Sequence, residues 1–216
     1  MIEIKNWKFI GGRLCLDFVN SVGERKELEE KPYPENIIVK DKLENFNDFI
    51  TWGREIGIIT EAERKYLLKL SSSEKKETEI TFKKAIELRE SLFKIIYDVI
   101  NNKEPHEKMI LTLNREYSVA NENRMLVYMN NKIEWQFSKD PLKPDYLIWV
   151  IAESAVKLLS SDLISRVKIC AGDDCGWLFL DTSKNKSRHW CDMKDCGNVA
   201  KVRRFRKKQN KRSMDK

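Results

Sequence analysis

The sequence predicts a mainly α-helical N-terminal domain with one β-hairpin, followed by a small C-terminal α+β module, and three observations support this fold class. Apolar residues recur at helical spacing through most of the first ~165 residues. Two apolar segments flank the pair Asn130-Asn131, which suits a two-residue hairpin turn. Four of the five cysteines lie within the last 47 residues of the 216-residue chain. We expect domains at 1–164 and 165–210 and a frayed basic tail at 211–216.

The N-terminal domain is expected to begin with short elements and then to become continuously helical. Residues 14–20 are an apolar cluster with two polar residues, and a polar loop over 24–36 follows them. Helical spacing then covers residues 43–53, and the Thr60-x-x-Glu63 spacing predicts a capping box at the start of the next helix. The longest helix is predicted over 78–101, where apolar residues form a broad stripe.

Three further elements complete this domain. Pro105 suits the first turn of a helix over 106–120. The hairpin is predicted to pair residues 124–129 with residues 132–137, because asparagine at the turn tolerates positive φ. A last helix over 144–160 is apolar on most sides, so we expect it at the centre of the core.

The charge of the chain is distributed unevenly. The net charge is +7, but residues 183–216 carry +10 and the remaining 182 residues carry −3. A strongly basic segment on a mildly acidic protein indicates a surface for an anionic partner, with a solvated basic tail as the alternative. The N-terminus does not resemble a signal peptide, and no apolar stretch approaches the ~20 residues of a membrane span. We expect a cytoplasmic protein without membrane contact.

The clustered cysteines are spaced as Cys170-x4-Cys175-x15-Cys191-x4-Cys196. Two such pairs can wrap one tetrahedral Zn²⁺, and in a reducing compartment paired cysteines favour metal over disulfide. Four thiolates would fill the coordination shell, so the sequence predicts one structural zinc ion and no catalytic one. The alternatives are His189 as a competing ligand and four reduced cysteines without metal. Cys15 is interpreted as a small core residue.

The predicted zinc module consists of a ribbon, or treble-clef-like hairpin, and a basic helix. Residues 177–180 and 189–191 are expected to form its two strands, with 181–186 as an exposed turn. A helix over 198–208 is expected to follow, with Cys196 near its N-terminus. Its apolar residues recur every three positions in a narrow stripe suited to packing on the ribbon: Val199, Val202 and Phe205.

Basic residues cover the rest of this helix and the ribbon turn. Because lysine and arginine contact phosphates, we interpret the set as a nucleic-acid-binding surface, against the alternative of a solvated basic helix. The predicted contacts are Lys184, Lys186, Arg188, Lys201, Arg203, Arg204, Arg206, Lys207 and Lys208. Trp177 and Trp190 are expected either to stack on bases or, as is commoner beside a small metal site, to form its miniature core.

The C-terminal motifs resemble the CGNR-type zinc finger, which sits at the C-terminus of bacterial proteins. The resemblance is carried by Cys170-Ala-Gly-Asp-Asp-Cys175-Gly-Trp-Leu-Phe-Leu-Asp181 and by Ser187-Arg-His-Trp-Cys191-Asp-Met-Lys-Asp-Cys196-Gly-Asn198. The family has arginine after Cys-Gly-Asn, whereas this chain has Val199. The role of that arginine is therefore expected to be lost or to pass to Lys201 or Arg203.

The segment Gly11-Gly-Arg-Leu-Cys-Leu-Asp-Phe-Val-Asn20, with Leu88-Arg89-Glu90, is similar to the ABATE domain that accompanies this finger. Together the resemblances cover essentially the whole chain and imply a stress-associated transcriptional regulator or an RNA-binding protein. They make Asp17, Asn20 and Arg89 candidates for a small-molecule effector pocket in a sensor domain. The alternative is that these three side chains are buried hydrogen-bonding partners that fix helix packing.

The leading hypothesis is a two-part regulator, in which the N-terminal domain senses an effector or dimerises and the zinc module binds DNA in preference to RNA. A homodimer would gain affinity by bivalent binding. The alternative is a protein-interaction module that docks on an acidic partner such as a polymerase subunit. We expect no enzymatic activity, because the chain has two histidines, no glycine-rich phosphate loop and no spacing typical of a catalytic triad.

Overall fold

The computed structural model describes residues 5–25, 38–173 and 175–214. Within them it confirms the predicted fold class, a mainly α-helical assembly with small hairpins and a C-terminal α+β module around the clustered cysteines. The helices are α1 (Leu14–Val19), α2 (Phe46–Glu55), α3 (Glu61–Ser73), α4 (Lys75–Ile100), α5 (Glu107–Glu122), α6 (Tyr146–Leu159) and α7 (Asn198–Met214). In the described ranges the strands form three antiparallel pairs: β1 (Val22–Arg25) with β2 (Ile38–Asp41), β3 (Arg124–Met129) with β4 (Lys132–Phe137), and β5 (Val167–Ile169) with β6 (Leu178–Leu180). A 3₁₀ turn (Asp162–Arg166) precedes β5, and a π-helical turn (Met193–Gly197) precedes α7.

Helix α6 lies at the centre of the main core, as its apolar faces predicted. Leu147, Ile151 and Ala155 are fully buried along it, and the helix packs against α1, α4 and α5. Within the described ranges, no helix combines the length and hydropathy needed to cross a bilayer.

Two local sequence signals are found where they were predicted. The Thr60 hydroxyl accepts a hydrogen bond from the Glu63 N–H at 3.2 Å, and the Glu63 carboxylate accepts one from the Thr60 N–H at 2.6 Å, which confirms the capping box at α3. Strands β3 and β4 pair in the predicted register. The turn residues Asn130 and Asn131 have φ of 51° and 60°, the left-handed values that a two-residue hairpin turn requires.

Two predictions for this domain need correction. Pro105 lies before α5 and not in its first turn, because His106 is the capping residue and its Nδ1 accepts the Lys108 N–H at 3.2 Å. The loop predicted over 24–36 is wrong at its start, where residues up to Arg25 belong to β1. This strand is made by pairing with β2, a non-local contact that the polar local sequence does not indicate. Residues 26–37 of that prediction lie outside the described residues.

Candidate metal centre

The four predicted cysteines converge at the end of the β5–β6 hairpin. Their Sγ atoms all lie within 4.8 Å of one another. Cys170 follows β5, and Cys175 closes a turn in which its N–H donates to the Gly172 carbonyl at 3.1 Å. Cys196 lies in the π-helical turn directly before α7, near the N-terminus of the final helix as predicted.

The thiols shift one another's pKa values, because ionised thiols this close together repel one another in the absence of a cation. Hydrogen bonds from the Cys175 and Cys191 thiols lower the pKa of Cys170 far below its usual range. The same contacts with Cys170 raise the pKa values of Cys175 and Cys191, because a second thiolate would lie beside the first. A divalent ion that prefers sulfur ligands removes this repulsion, and four thiolates at this spacing fit the tetrahedral shell of Zn²⁺. The shell would then be closed to water, so the metal is structural.

Arg188 holds the backbone of the metal-binding segment through hydrogen bonds from its side chain. Its guanidinium donates to the Trp190 carbonyl at 2.9 Å and also to the Cys191 carbonyl, and it lies 4.4 Å above the Phe179 ring. The Cys191 N–H in turn donates to Cys170 Sγ at 3.3 Å. Arg188, predicted to contact phosphate, is therefore half-buried and held by protein groups.

The predicted strand pairing of the ribbon is wrong. Strand β6 pairs with β5, with Val167 opposite Leu180 and Ile169 opposite Leu178, and not with residues 189–191. The segment that carries the first cysteine pair, Cys170 and Cys175, connects the two strands of this hairpin, and the Cys170 N–H donates to the Trp177 carbonyl at 2.8 Å across it. Because β5 lies before the first cysteine, the spacing between cysteines did not indicate it.

Asp181 organises the loop that was predicted to be an exposed turn. The carboxylate is fully buried and accepts hydrogen bonds from Lys168 Nζ at 2.8 Å, from the Ser183 hydroxyl at 2.6 Å and from the Arg188 N–H at 3.0 Å. The Lys168 hydrogen bond and then those of Ser183 hold the pKa of Asp181 well below its usual range. The prediction of exposure is wrong for this residue. The Asp-x-Ser spacing of an Asx turn, in which the Ser183 N–H donates to Asp181 at 2.9 Å, was the available signal.

The tryptophans form the miniature core of the module. Trp177 is buried and Trp190 half-buried, and both pack with Val22, Phe179 and the cysteines. His189 is exposed and its ring packs on Trp190. The group of candidate metal ligands found among the described residues consists of the four cysteines and does not include His189.

Helix α7 leaves the metal centre with its apolar stripe uncovered. Val199, Val202 and Phe205 are each about half exposed or more, so their predicted packing on the ribbon is wrong. The helix contacts the π-helical turn at its N-terminus and then projects away from the ribbon. It extends to Met214, beyond the end at Lys208 that was predicted.

The remaining basic residues fall into three groups. The exposed side chains are Lys184 and Lys186 on the loop and Lys201, Arg204 and Arg206 on the helix. Arg203 forms an ion pair with Asp173 in the first cysteine turn. Lys207 and Lys208 were also predicted, but their side chains lie outside the described residues. Arg203, one turn after Val199, thus ties the helix to the ribbon.

The metal module is packed directly on the helical domain. The side-chain amide of Asn20 donates to the Leu178 carbonyl at 2.7 Å and accepts the Leu178 N–H at 2.9 Å. Leu178 and Leu180 belong to the main core. A further contact joins the two parts, because the Arg25 N–H donates to the Cys175 carbonyl at 3.3 Å.

A charge network built around two buried arginines lies beneath this junction. Arg89 donates to both carboxylate oxygens of Asp41, at 2.8 and 2.5 Å, and to Glu90 at 2.8 Å. Arg25 donates to the same Glu90 at 2.9 Å and lies 3.9 Å above the Phe93 ring. Arg25 was not singled out from the sequence, and in a polar segment nothing local marks it as buried. Two arginines and two carboxylates thus neutralise one another, as buried charges must.

Asp17 has different hydrogen-bond partners from Asn20 and Arg89. Its carboxylate accepts the Gly11 N–H at 2.7 Å, and burial raises its pKa to about 6 against the opposing effect of that bond. It lines an open groove of about 510 Å³ with Arg13 and Tyr146. Asn20 and Arg89 have the protein partners given above, and ligand binding by the three residues stays a prediction.

A comparison with protein families finds a match for the C-terminal part of the chain. Residues 166–209 match the family model of the CGNR zinc finger. No curated protein matches the chain. The match and the thiol geometry together show that Cys170, Cys175, Cys191 and Cys196 hold one structural zinc ion.

Proposed function

We propose that this chain is a cytoplasmic regulator that binds nucleic acid, DNA in preference to RNA, through its zinc module, while the helical domain senses an effector. The observation that carries the proposal is the position of α7. The helix begins two residues after the zinc ligand Cys196 and carries eight lysines and arginines and no acidic residue. The proposal includes no catalytic step, because four thiolates leave zinc no open position.

The attachment of α7 supports contact with phosphates. Its N-terminal end is fixed by the metal centre, and its second turn by the ion pair between Arg203 and Asp173. Around and beyond these contacts, Lys201, Arg204 and Arg206 are exposed. A positively charged helix that the rest of the protein already holds in place can neutralise phosphates and release their counterions. It does so without the entropy cost of ordering a flexible basic tail.

The shape of the element favours DNA. A single projecting α-helix fits the major groove of B-form DNA, whereas the major groove of A-form RNA is too narrow for it. Loop residues Lys184 and Lys186 are also exposed and add charge on the ribbon.

The test is the salt dependence of duplex binding by the full chain. If ~6 basic side chains contact phosphates, log K should fall with log[salt] at a slope of about −5. Replacing Lys201, Arg204 and Arg206 by alanine should reduce the magnitude of that slope by about 3. The matched control replaces Lys65, Lys69 and Lys76, three exposed lysines of α3 and α4, and should leave the slope unchanged.

A flat salt response, or an equal effect of the two triple variants, would contradict the proposal. A structured RNA of equal length, measured in parallel, separates the two nucleic acids: tighter RNA binding would reject the DNA preference and retain the rest.

The exposed stripe on α7 supports a second candidate, a protein-interaction module. Val199, Val202 and Phe205 recur on one face among basic residues, which suits an acidic protein with an apolar groove. Replacing Val202 and Phe205 by serine should abolish co-purification of such a partner and leave duplex affinity unchanged. Loss of duplex affinity in this variant would argue against the second candidate.

A further inference from the structure

The outer half of the β3–β4 hairpin presents an apolar face to solvent. Directly paired residues share a face of a two-stranded sheet, and the pairs Leu126–Trp135 and Tyr128–Ile133 alternate with the pairs of the reverse face. Their exposed fractions are 58% and 59% for the first pair and 71% and 69% for the second. A solvated sheet face is ordinarily polar, so this one is built for contact.

The same face begins inside the core. At the root of the hairpin Phe137 packs against Tyr146 and Trp149, with ring centroids 6.4 and 6.2 Å away. Arg124, paired with Phe137, is held by Glu153 at 2.9 Å. The root is therefore rigid, while an isolated two-stranded hairpin is marginally stable in water. In the part of the chain that the structure describes, no element covers its outer half.

The four side chains are arranged in a self-complementary pattern. Tyr128 and Trp135 occupy one diagonal of the face, and Leu126 and Ile133 occupy the other. A two-fold axis in the plane of contact, perpendicular to the strands, exchanges the two residue pairs and so places each aromatic ring over an aliphatic side chain of the other copy. The two hairpin roots, each covered by α6, then lie at opposite ends of the contact. Lys132 and Glu134 lie on the reverse face, and Arg124, at the root of this face, is paired with Glu153, so no like charges meet among the four side chains.

The size of the face also suits two copies. Since a large aromatic side chain buries 150–250 Å², the four side chains at their exposed fractions offer on the order of 500 Å². Two such faces together reach the ~1,000 Å² that a specific interface requires.

We propose that this hairpin face is a homodimer interface, in which the Leu126, Tyr128, Ile133 and Trp135 face of one chain packs on the same face of a second copy about a two-fold axis. This inference is independent of nucleic-acid binding, because it depends on the hairpin alone.

The experiment measures the mass of the full zinc-loaded chain by light scattering over a wide range of protein concentration. The wild-type chain should reach twice its 25.6 kDa mass. Ile133→Lys, at the exposed end of the face, should return the mass to 25.6 kDa. The matched control Met125→Lys adds the same charge at a half-exposed position on the reverse face and should remain dimeric. Zinc content and helical signal establish that each variant is folded, and Tyr128→Lys replaces Ile133→Lys if the latter does not fold.

Three results would overturn the proposal: a wild-type chain that stays monomeric, a dimer that survives both Ile133→Lys and Tyr128→Lys, or a dimer that Met125→Lys disrupts equally. A monomeric chain whose tryptophan fluorescence is quenched by single-stranded DNA, with the quenching lost in Trp135→Phe, would assign the face to bases instead.

Discussion

The side chain of Asn20 forms with Leu178 the pair of hydrogen bonds that a neighbouring strand would form. It donates to the carbonyl and accepts from the N–H of that one residue, at 2.7 and 2.9 Å, and so occupies the free edge of β6. Asn20 ends helix α1, whereas Leu178 begins the strand that follows the first two zinc ligands. The helical domain and the metal module are thus joined by buried hydrogen bonds and share one core.

Asn20→Ala should destabilise the chain by about 2 kcal/mol, because it leaves the buried N–H and carbonyl of Leu178 without partners. Urea unfolding of the zinc-loaded protein measures the change. Asn121→Ala, at an exposed position of α5, is the control and should change stability by less than about 0.5 kcal/mol. Equal stabilities of the two variants would show that the junction does not depend on Asn20.

Gly176→Ala should cost clearly more stability than Gly57→Ala. Both glycines have positive φ, 61° and 85°, so both substitutions introduce backbone strain of about 1 kcal/mol. At Gly176 the added Cβ would also lie 2.7 Å from the Cβ of Arg25, whereas at Gly57 it would meet nothing within 4 Å. The difference between the two unfolding free energies therefore isolates the close approach of β1 to the cysteine turn. Equal costs would contradict that approach.

Cys191→Ser should lose bound zinc, and the loss should lower the melting temperature of the helical domain as well. The reason is that Leu178 and Leu180, next to the metal centre, belong to the main core. Metal analysis measures the zinc, and far-ultraviolet circular dichroism follows the helices with and without chelator. Cys15→Ala, at a buried cysteine far along the chain, should retain one zinc per chain. Helices that melt at an unchanged temperature after chelation would disprove the coupling.

Asp17→Asn should stabilise the protein at neutral pH and not at mildly acidic pH. Burial raises the pKa of Asp17 to about 6, so the folded state holds the proton more tightly than the unfolded state does. The contribution of the Asp17 carboxyl to the free energy of unfolding is therefore most favourable at low pH and is lost as pH rises through 6. The advantage of the variant should shrink by about 1 kcal/mol between pH 7 and pH 5, measured by urea unfolding. A difference that is independent of pH would contradict the raised pKa.

The sequence alone determined the features that depend on neighbouring residues. The capping box of Thr60 and Glu63, the Asn130-Asn131 turn and the central position of α6 follow from local spacing and periodicity, and the structure confirms each. The zinc ligands could be predicted for the same reason, since metal chemistry restricts both residue type and spacing.

The tertiary structure decided the features that depend on residues far apart in the chain. The pairing of β5 with β6, the burial of Asp181 and the partners of Asn20 and Arg89 each require a surface that the folded chain creates. The apolar stripe of α7 shows the opposite case: its periodicity predicted a buried face, but the helix projects beyond the ribbon and its stripe stays exposed. Periodicity specifies which side chains share a face, whereas only the packing of the whole chain determines what that face meets.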